Sequence, residues 1–564
     1  MKCPNCFEEM PEGAIKCEAC GAETNVEEQM PEEKKSFKLK KPVIAAIAVA
    51  AVLVLVVVGV LAAKIFGGGN SKEIVIDALS GVFNDKTERP MEEIFGLKEM
   101  AKTLQTDNTQ VSLGLKVENC DPSIAGEYAE MLIGSGITVL AKNDLKNKKY
   151  FANVKAQYQN MDLLSSEVYQ DDKLLMLKIP EVSERAFTLN YADDLAEQIS
   201  NSPYMGAYIE ESGIDVTIIE DYVKLLQKAQ ENGTSSVDIA GLWKRYKEGS
   251  KAISDLKAAM TVTSKDKATF TVDGKEESCK GYEVVITRDA LAQFVEATSE
   301  YMLEDETFKA EFFEYMDTNL QSMFKLNAVT PMAGAMTAEE SWAEMKKSID
   351  EMVAEFKDSA GDVNLVVYVD RQGRLASLDA MLLNEEDGES SEVKLHVELK
   401  GGIYLTQNMD VALTATDSYD STVTLSIQRK GTYDKKILTS DVVVEANDVK
   451  VTYTGMYDVE NASYELGVSA EGAGVEMANF TAKGVVEDLV KGKAANLVVD
   501  SLTVNMSGQP VIELSGNYSL MPMEGEVTVL EGEQMDILAA TEEDWQEVIM
   551  EGYAKIIEIA LKLQ

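Results

Sequence analysis

Apolar and polar side chains alternate one by one through a long series of short segments between Val363 and Leu530. The clearest segments are 393–399, 411–415, 423–427 and 464–470. A period of two residues is typical of a strand with one buried and one solvated face, as in antiparallel sheets. Glycine, asparagine and aspartate recur between the segments, where hairpin turns need them. We therefore predict a meander of about eleven or twelve antiparallel strands.

A sheet of that length, apolar on one side only, is expected to curl or to be covered by helices. Apolar residues at helical spacing predict helices at Ser71–Phe83, at Asp289–Lys325 with a break near Glu304 and Asp305, at Ala335–Lys357, and from Thr541 after a capping-box-like acidic turn. We expect the apolar stripe of the last helix to be core. The stripe consists of Trp545, Val548, Ile549, Tyr553, Ile556, Ala560 and Leu563.

The region before the meander mixes both kinds of segment. Strand-like segments are Gln110–Val117, Gly136–Ala141, Tyr150–Tyr158, Leu174–Ile179, Phe187–Tyr191, Ala259–Thr263, Ala268–Val272 and Gly281–Thr287. Helix-like segments are Ala192–Asn201, Asp215–Glu231 and Val237–Asp255. This order lacks the strict strand–helix alternation of a nucleotide-binding parallel sheet. The predicted class is α+β, with a long curled antiparallel meander sheet covered by helices.

Four cysteines near the start of the chain predict a structural zinc ribbon. Cys3 and Cys6 form one C-x-x-C pair, and Cys17 and Cys20 form a second pair ten residues later. Two such turns facing each other give a tetrahedral, closed zinc site, whose metal supplies folding energy that so short a segment cannot obtain from a core. The alternatives are a redox dithiol pair or two disulfides. Residues 1–29 carry two lysines and seven glutamates, which argues against a nucleic-acid surface.

A 22-residue run without a charge, Pro42–Ala63, predicts one transmembrane helix. Lysines crowd before this run and are sparse after it, so the positive-inside rule places the N-terminus in the cytoplasm and the remainder outside. The lysines before it are Lys34, Lys35, Lys38, Lys40 and Lys41. A cleaved signal peptide is the alternative. Small residues four apart within the span are compatible with a homo-oligomer.

These features divide the chain into six parts. They are a zinc ribbon (1–24), a charged linker (25–41), a transmembrane helix (42–66), a Gly-rich joint (67–72), an α+β extracytoplasmic region (73–360), and the antiparallel meander with its C-terminal helix (361–564). The formal net charge of the chain is −44, and nearly all of it falls after the span. That charge argues against nucleic acid or an anionic membrane surface as the main partner.

The outer region offers few residues for chemistry. Cys120 and Cys279 are compatible with a disulfide or with two lone buried thiols. His396, the one histidine, lies on the polar side of an alternating segment, where a solvated side chain is expected. Nucleophile-elbow, Walker A and dinucleotide-binding motifs are all missing from the sequence. We therefore predict a protein that is not an enzyme and whose only cofactor is structural zinc.

The front of the chain resembles the zinc-ribbon single-pass membrane proteins of Gram-positive bacteria, a layout found in the teicoplanin-resistance-associated membrane protein. Cys3, Cys6, Cys17, Cys20 and Gly21 match the ribbon motif of that group. The resemblance covers the first 66 residues and implies a cell-envelope location. The large region is similar to the extracytoplasmic domains of uncharacterised members. Its curled sheet with helices on one side also resembles the lipoprotein-carrier half-barrel, which implies binding of acyl chains.

Three functional hypotheses follow, of which the third, an envelope hydrolase, has no motif to support it and would require a cleft with converging carboxylates. The first is a membrane-anchored envelope protein whose outer domain binds a protein or wall partner. The second is a carrier or sensor that holds a lipid or another apolar ligand in a cavity under the sheet. A filled core would favour the first hypothesis, and a wide apolar cavity lined by sheet residues would favour the second.

Overall fold

The computed structural model describes residues 70–83, 87–159, 161–191, 195–204, 206, 237–316, 337–386, 389–416 and 421–562. The zinc ribbon, the linker, the transmembrane run and the helix predicted at 215–231 therefore lie outside the described residues. Within those described ranges, no helix is both long enough and apolar enough to cross a bilayer.

Helices occur before the sheet, between its strands and at the end of the chain. They are α1 (Ser71–Phe83), α2 (Pro90–Phe95), α3 (Leu97–Thr106), α4 (Pro122–Ala125), α5 (Ala129–Leu132), α6 (Leu195–Ser200), α7 (Ile239–Gly249), α8 (Ala252–Ala259), α9 (Arg288–Glu304), α10 (Glu306–Tyr315), α11 (Ala338–Ser359) and α12 (Glu542–Lys562). The helices predicted at 71–83, 289–325 and 335–357 correspond to α1, to α9 with α10, and to α11.

The described strands form one 20-stranded sheet. They are β1 (Thr109–Cys120), β2 (Gly136–Asp144), β3 (Lys149–Tyr158), β4 (Met161–Gln170), β5 (Leu174–Lys178), β6 (Ala186–Asn190), β7 (Thr261–Val272), β8 (Lys275–Ile286), β9 (Ala360–Val369), β10 (Leu375–Glu386), β11 (Glu389–Gly401), β12 (Asn408–Thr416), β13 (Thr422–Tyr433), β14 (Ile437–Ala446), β15 (Val449–Asp458), β16 (Ser463–Gly472), β17 (Val475–Val490), β18 (Ala494–Met506), β19 (Gln509–Pro522) and β20 (Gln534–Asp536).

The predicted meander is confirmed. Strands β7 to β19 follow one another as antiparallel neighbours, and β1 then pairs with β19 and continues the sheet through β2 to β6. Short β20 pairs parallel with β6 and is the last strand at that end of the sheet. The sheet is thus open, with β7 and β20 at its two ends, and it runs through the boundary predicted between residues 360 and 361.

Two local predictions differ from the structure. A single helix was expected at Val237–Asp255, but α7 ends before Ser250, whose backbone is extended, and α8 starts a new direction. Two short strands were expected at 259–272, but β7 is one strand with a bulge between Lys265 and Ala268. By contrast, the break at Asp305 is confirmed, because its carboxylate accepts a hydrogen bond from the Phe308 N–H and begins α10.

One side of the sheet is mostly apolar across β9–β16, because the register aligns the alternating apolar residues of successive strands. We call this side the apolar face; it carries, for example, Val363, Leu395, Ile427, Tyr457 and Tyr464. Over β8–β12 the apolar face is packed by α1, α7, α8 and α9, and together they form the largest core. The prediction of helices covering the sheet is confirmed for this half.

The predicted core stripe of α12 is mostly wrong. Val548 is buried and Trp545 is half-buried, because both pack at the end of the sheet against Phe187 and Met535. The remainder of the stripe projects into solvent: Ile549, Tyr553, Ile556 and Ala560 are exposed, while Leu563 lies outside the described residues. Helical spacing reveals an apolar face, but it does not reveal whether the fold has surface available to cover that face. The capping box is confirmed, since Thr541 and Asp544 exchange hydrogen bonds between side chain and backbone.

Candidate functional site

The four predicted zinc ligands, Cys3, Cys6, Cys17 and Cys20, lie outside the described residues, so their zinc site stays a prediction. Within the described part of the chain, no group of three or more His, Cys, Asp or Glu side chains is placed to hold a metal ion. His396 pairs with Asp379, the residue directly opposite on β10, with Nδ1 and Oδ1 2.6 Å apart. Both side chains are substantially exposed, as predicted for this histidine.

The structure leaves Cys120 and Cys279 as free, buried thiols rather than as a disulfide. Cys120 ends β1, whereas Cys279 lies in β8, and strands β9 to β19 separate them in the sheet. Cys279 is fully buried beside Val272 and Ala376. Burial, helped by the charge of the nearby Glu277 carboxylate, raises the pKa of Cys279 to about 11. Such a thiol is neutral and inert at physiological pH.

A cavity of about 1040 Å³ lies between the apolar face of β13–β18 and the segment 87–100, which includes α2 and the start of α3. Its wall is mostly apolar and rich in tyrosine. The aromatic and large aliphatic side chains of the wall are Phe95, Leu97, Tyr404, Leu438, Tyr453, Tyr457, Tyr464, Leu466, Val486 and Leu497. A mostly apolar cavity with a few polar groups is the usual form of a small-molecule site.

The floor of the cavity is a row of small residues. Gly431, Ser440, Gly455 and Leu466 line the cavity and are paired in this order across four neighbouring strands. The Tyr453 ring folds over Gly455 so closely that a Cβ there would lie 2.5 Å from the phenol oxygen. Because only one side chain of the row is large, the sheet leaves space above it, part of which is filled by the Tyr453 ring.

The cover of the cavity, residues 87–106, turns sharply between α2 and α3. Gly96 ends α2 with a φ of 64°, a left-handed conformation that favours glycine. The turn between β17 and β18 holds this corner in place, because the Gly492 N–H donates to the Phe95 carbonyl (2.8 Å) and the Thr103 hydroxyl donates to the Gly492 carbonyl (2.9 Å). The Phe95 ring packs on Tyr457, with 5.0 Å between centroids.

Two buried tyrosines form the inner wall opposite the cover. The Tyr464 hydroxyl donates to the Val498 carbonyl (3.0 Å). Burial raises the pKa of both Tyr457 and Tyr464, and the charges of Asp458 and Asp500, respectively, add to the effect. Both phenols therefore stay neutral at physiological pH and act as wall surface rather than as bases.

Arg89 and Arg429 flank the ring of Tyr404 beside the cavity. The guanidinium carbons lie 5.3 Å (Arg89) and 5.6 Å (Arg429) from the ring centroid, and Nη2 of Arg429 also donates to the Tyr404 hydroxyl (2.8 Å). Arg89 is exposed in the segment before α2, whereas Arg429 is half-buried on β13. Cation–π contacts of this kind keep both positive charges close to one ring.

The loop between β11 and β12 positions Tyr404. The Gln407 amide accepts from the Ile403 N–H (2.5 Å) and donates to the Gly431 carbonyl (3.1 Å). Asn408 donates to the Gly401 carbonyl (2.7 Å) and accepts from the Gly431 N–H (2.9 Å). These bonds tie the loop to β13, the strand that carries Arg429.

Arg429 interrupts the apolar alternation of β13, and this interruption is visible in the sequence. The apolar-face positions of β13 read Val423, Leu425, Ile427, Arg429 and Gly431. A charged residue at a position where the alternation requires an apolar one is expensive to bury, and it therefore indicates a site. Tyr404, Arg89 and the cover carried no comparable signal.

Comparison with known proteins adds no relatives: no family model, no curated protein and no solved structure matches this chain.

Proposed function

We propose that this protein is a non-enzymatic, membrane-anchored envelope protein whose outer domain binds a lipid or another long apolar ligand in the cavity under α2 and α3. The observation that carries this proposal is the apolar cavity of about 1040 Å³ on the sheet's apolar face. A protein that bound only a protein or wall partner would not require such a cavity.

The size and chemistry of the cavity support an acyl chain as the ligand. Ligand cavities usually measure about 300–1,000 Å³, so this one is large. Each buried methylene contributes roughly 0.8 kcal/mol, and about ten of them contribute roughly 8 kcal/mol before the cost of ordering the chain. The rings of Tyr404 and Tyr464 add rigid apolar surface, since the Tyr464 hydroxyl donates to the Val498 carbonyl and the Tyr404 hydroxyl accepts from Arg429.

The predicted membrane anchor would hold the domain close to a source of ligand. Helix α1 begins at Ser71, only a few residues after the predicted span, with Asn70 accepting a hydrogen bond from the Glu73 N–H (2.9 Å). A domain tethered so closely stays next to the outer leaflet, where acyl chains are abundant. The zinc ribbon would then sit in the cytoplasm as a structural or protein-contact module.

A fluorescence titration tests the binding function. The full chain, held in amphipol to avoid detergent, is titrated with the methyl ester of cis-parinaric acid and compared with empty amphipol. Ser440→Leu fills the floor and should weaken binding by more than tenfold. Asp441→Leu places the same side chain on the opposite face of β14, where residue 441 is exposed, and should bind as the wild type does. Equal affinity in the two variants would contradict this site.

A protease experiment tests the anchor. In intact protoplasts, added protease should remove the residues after about Gly69 and leave the ribbon protected, because the lysines before the span hold the N-terminus inside. Protection of the large domain instead would reverse the proposed orientation. This result would not affect the binding site itself, so the two parts of the proposal can be judged separately.

A further inference from the structure

We propose that the ligand carries an anionic group, a carboxylate or a phosphate, and that this group binds between the guanidinium groups of Arg89 and Arg429 beside Tyr404. The inference rests on the proposed function, in which the cavity holds the apolar tail of the ligand, and it adds the chemistry of the ligand's head group. The ligand is then an anionic amphiphile, with its chain over the row of small residues and its charge at the two arginines.

The two arginines lack the partners that arginines normally have. Among the described residues, no carboxylate lies within ion-pair distance of Arg89 or Arg429, although the chain as a whole has a large excess of acidic residues. Four of the other five arginines contact a carboxylate, Arg185, Arg245 and Arg374 at 2.7–2.9 Å and Arg371 at 3.7 Å, whereas Arg288 donates to the Lys357 carbonyl. An acidic chain that keeps two guanidinium groups together without a carboxylate leaves a local positive charge.

Arg429 also has an unused donor. Its Nε atom is buried, and within the described residues no atom accepts a hydrogen bond from it. A buried donor without an acceptor costs about 1–3 kcal/mol, so such a group is rare and calls for an explanation. An oxygen of a bound carboxylate or phosphate supplies the missing acceptor, and a guanidinium fork fits either group with two parallel hydrogen bonds.

The two acidic residues of the cavity wall, Glu88 and Glu92, have partners other than Arg89 and Arg429. Glu88 pairs with Lys491 at 3.2 Å, and both side chains are more than half exposed. The Glu92 carboxylate accepts from the Lys98 N–H at 3.2 Å, which directs it to the start of α3. Neither carboxylate therefore forms an ion pair with the two arginines.

The test compares two probes that share one tail. The full chain in amphipol is titrated at pH 8 with cis-parinaric acid, which is charged, and with its neutral methyl ester. The wild type should bind the acid at least about tenfold more tightly than the ester. Arg429→Gln should remove this preference, because it should lower the affinity for the acid by about tenfold and the affinity for the ester much less. Lys430→Gln, the matched control, removes the same charge from the exposed neighbour on the opposite face and should keep the preference. Arg89→Gln, at an exposed position, repeats the test without touching a buried side chain.

The outcomes separate the two proposals. Tight binding of both probes with no preference for the acid would overturn the anionic head and leave the apolar site intact. Binding of neither probe would overturn both proposals. Inorganic phosphate at millimolar concentration should not displace the acid, because the chain supplies most of the affinity; displacement by phosphate alone would show a site for a free anion and overturn the amphiphile. A preference that survives Arg429→Gln and Arg89→Gln combined would place the anion elsewhere and also contradict the proposal.

Discussion

Two stretches of the same apolar face differ in how they are filled. Across β9–β11, the row Val367, Leu378 and Val397 presents three branched aliphatic side chains to the core that the helices cover. Across β13–β16, the corresponding surface includes the row Gly431, Ser440, Gly455 and Leu466 under two short helices. The first stretch is a packed core and the second is a cavity, although both have the same alternation in sequence.

The difference shows that alternation determines which face of the sheet is apolar, whereas side-chain size determines whether that face forms a packed core or a cavity. A strand pattern needs only an apolar residue at every second position. Whether the space above is filled depends on the volumes of residues that meet across strands and on the helices that cover them. Small residues aligned in register therefore mark a site that the pattern of a single strand does not reveal.

Truncating one large side chain in each stretch should give the largest contrast. Leu378→Ala removes a fully buried side chain from the packed stretch and should lower the free energy of unfolding by about 2–5 kcal/mol. Leu466→Ala removes a side chain that is 40% exposed on the cavity wall and should cost less than about 1 kcal/mol. Urea denaturation of the full chain measures both values. Similar losses would mean that the second stretch is packed like the first.

Thiol labelling should distinguish a cysteine placed in the cavity from Cys279, which is buried in a separate cluster beside Val272 and Ala376, by about 100-fold. Burial raises the pKa of Cys279 to about 11, so only a very small fraction is thiolate at pH 8. A cysteine placed in the cavity by Ser440→Cys should keep a thiol pKa near its ordinary value of about 8.5. Iodoacetamide labelling, followed peptide by peptide in a mass spectrometer, should therefore modify position 440 about 100-fold faster. Reactivity of Cys279 should rise steeply as the pH approaches 11; labelling of both thiols at one rate would refute the contrast.

Loosening the cover should have a smaller effect on stability than on binding. Phe95→Ala removes the ring that packs on Tyr457 and should cost roughly 1–2 kcal/mol, because Phe95 is only half-buried. The affinity for the methyl ester of cis-parinaric acid should fall together with the stability, since the Phe95 ring also lines the cavity. Leu104→Ala, an exposed side chain of α3 outside the cavity wall, is the control and should preserve affinity. Unchanged affinity in Phe95→Ala would show that the segment 87–106 is not a cover.

The exposed face of α12 should contribute least to the free energy of unfolding. Ile556 is 56% exposed, so Ile556→Ser should change the free energy of unfolding by no more than about 0.5 kcal/mol. Val548→Ala on the buried side of the same helix should cost more, because it leaves a small cavity against Phe187 and Met535. Equal thermal shifts for the two variants would mean that the outer face of α12 is covered.

The sequence predicted the strands better than it predicted the site. Period-two alternation located β9–β19. The acidic residues Glu304 and Asp305 located the break between α9 and α10. Both features depend on local patterns. Strand β4 was missed, and so were α2 and α3, although Pro90 at a helix start and Gly96 at a helix end are ordinary signals. The cavity itself depends on cross-strand register, which brings together Gly431, Ser440 and Gly455 from different strands, and no single segment carries that information.

The central claim is that an acyl chain occupies the second stretch and not the first. A fatty acid with a diazirine in its tail, bound to the full chain in amphipol and activated by light, tests this claim most directly. Mass spectrometry should locate the adducts in peptides of residues 87–100 and of β13–β16. Saturation with unlabelled fatty acid should remove these adducts. Adducts confined to β9–β12, to the exposed face of α12 or to residues 42–66 would contradict the account.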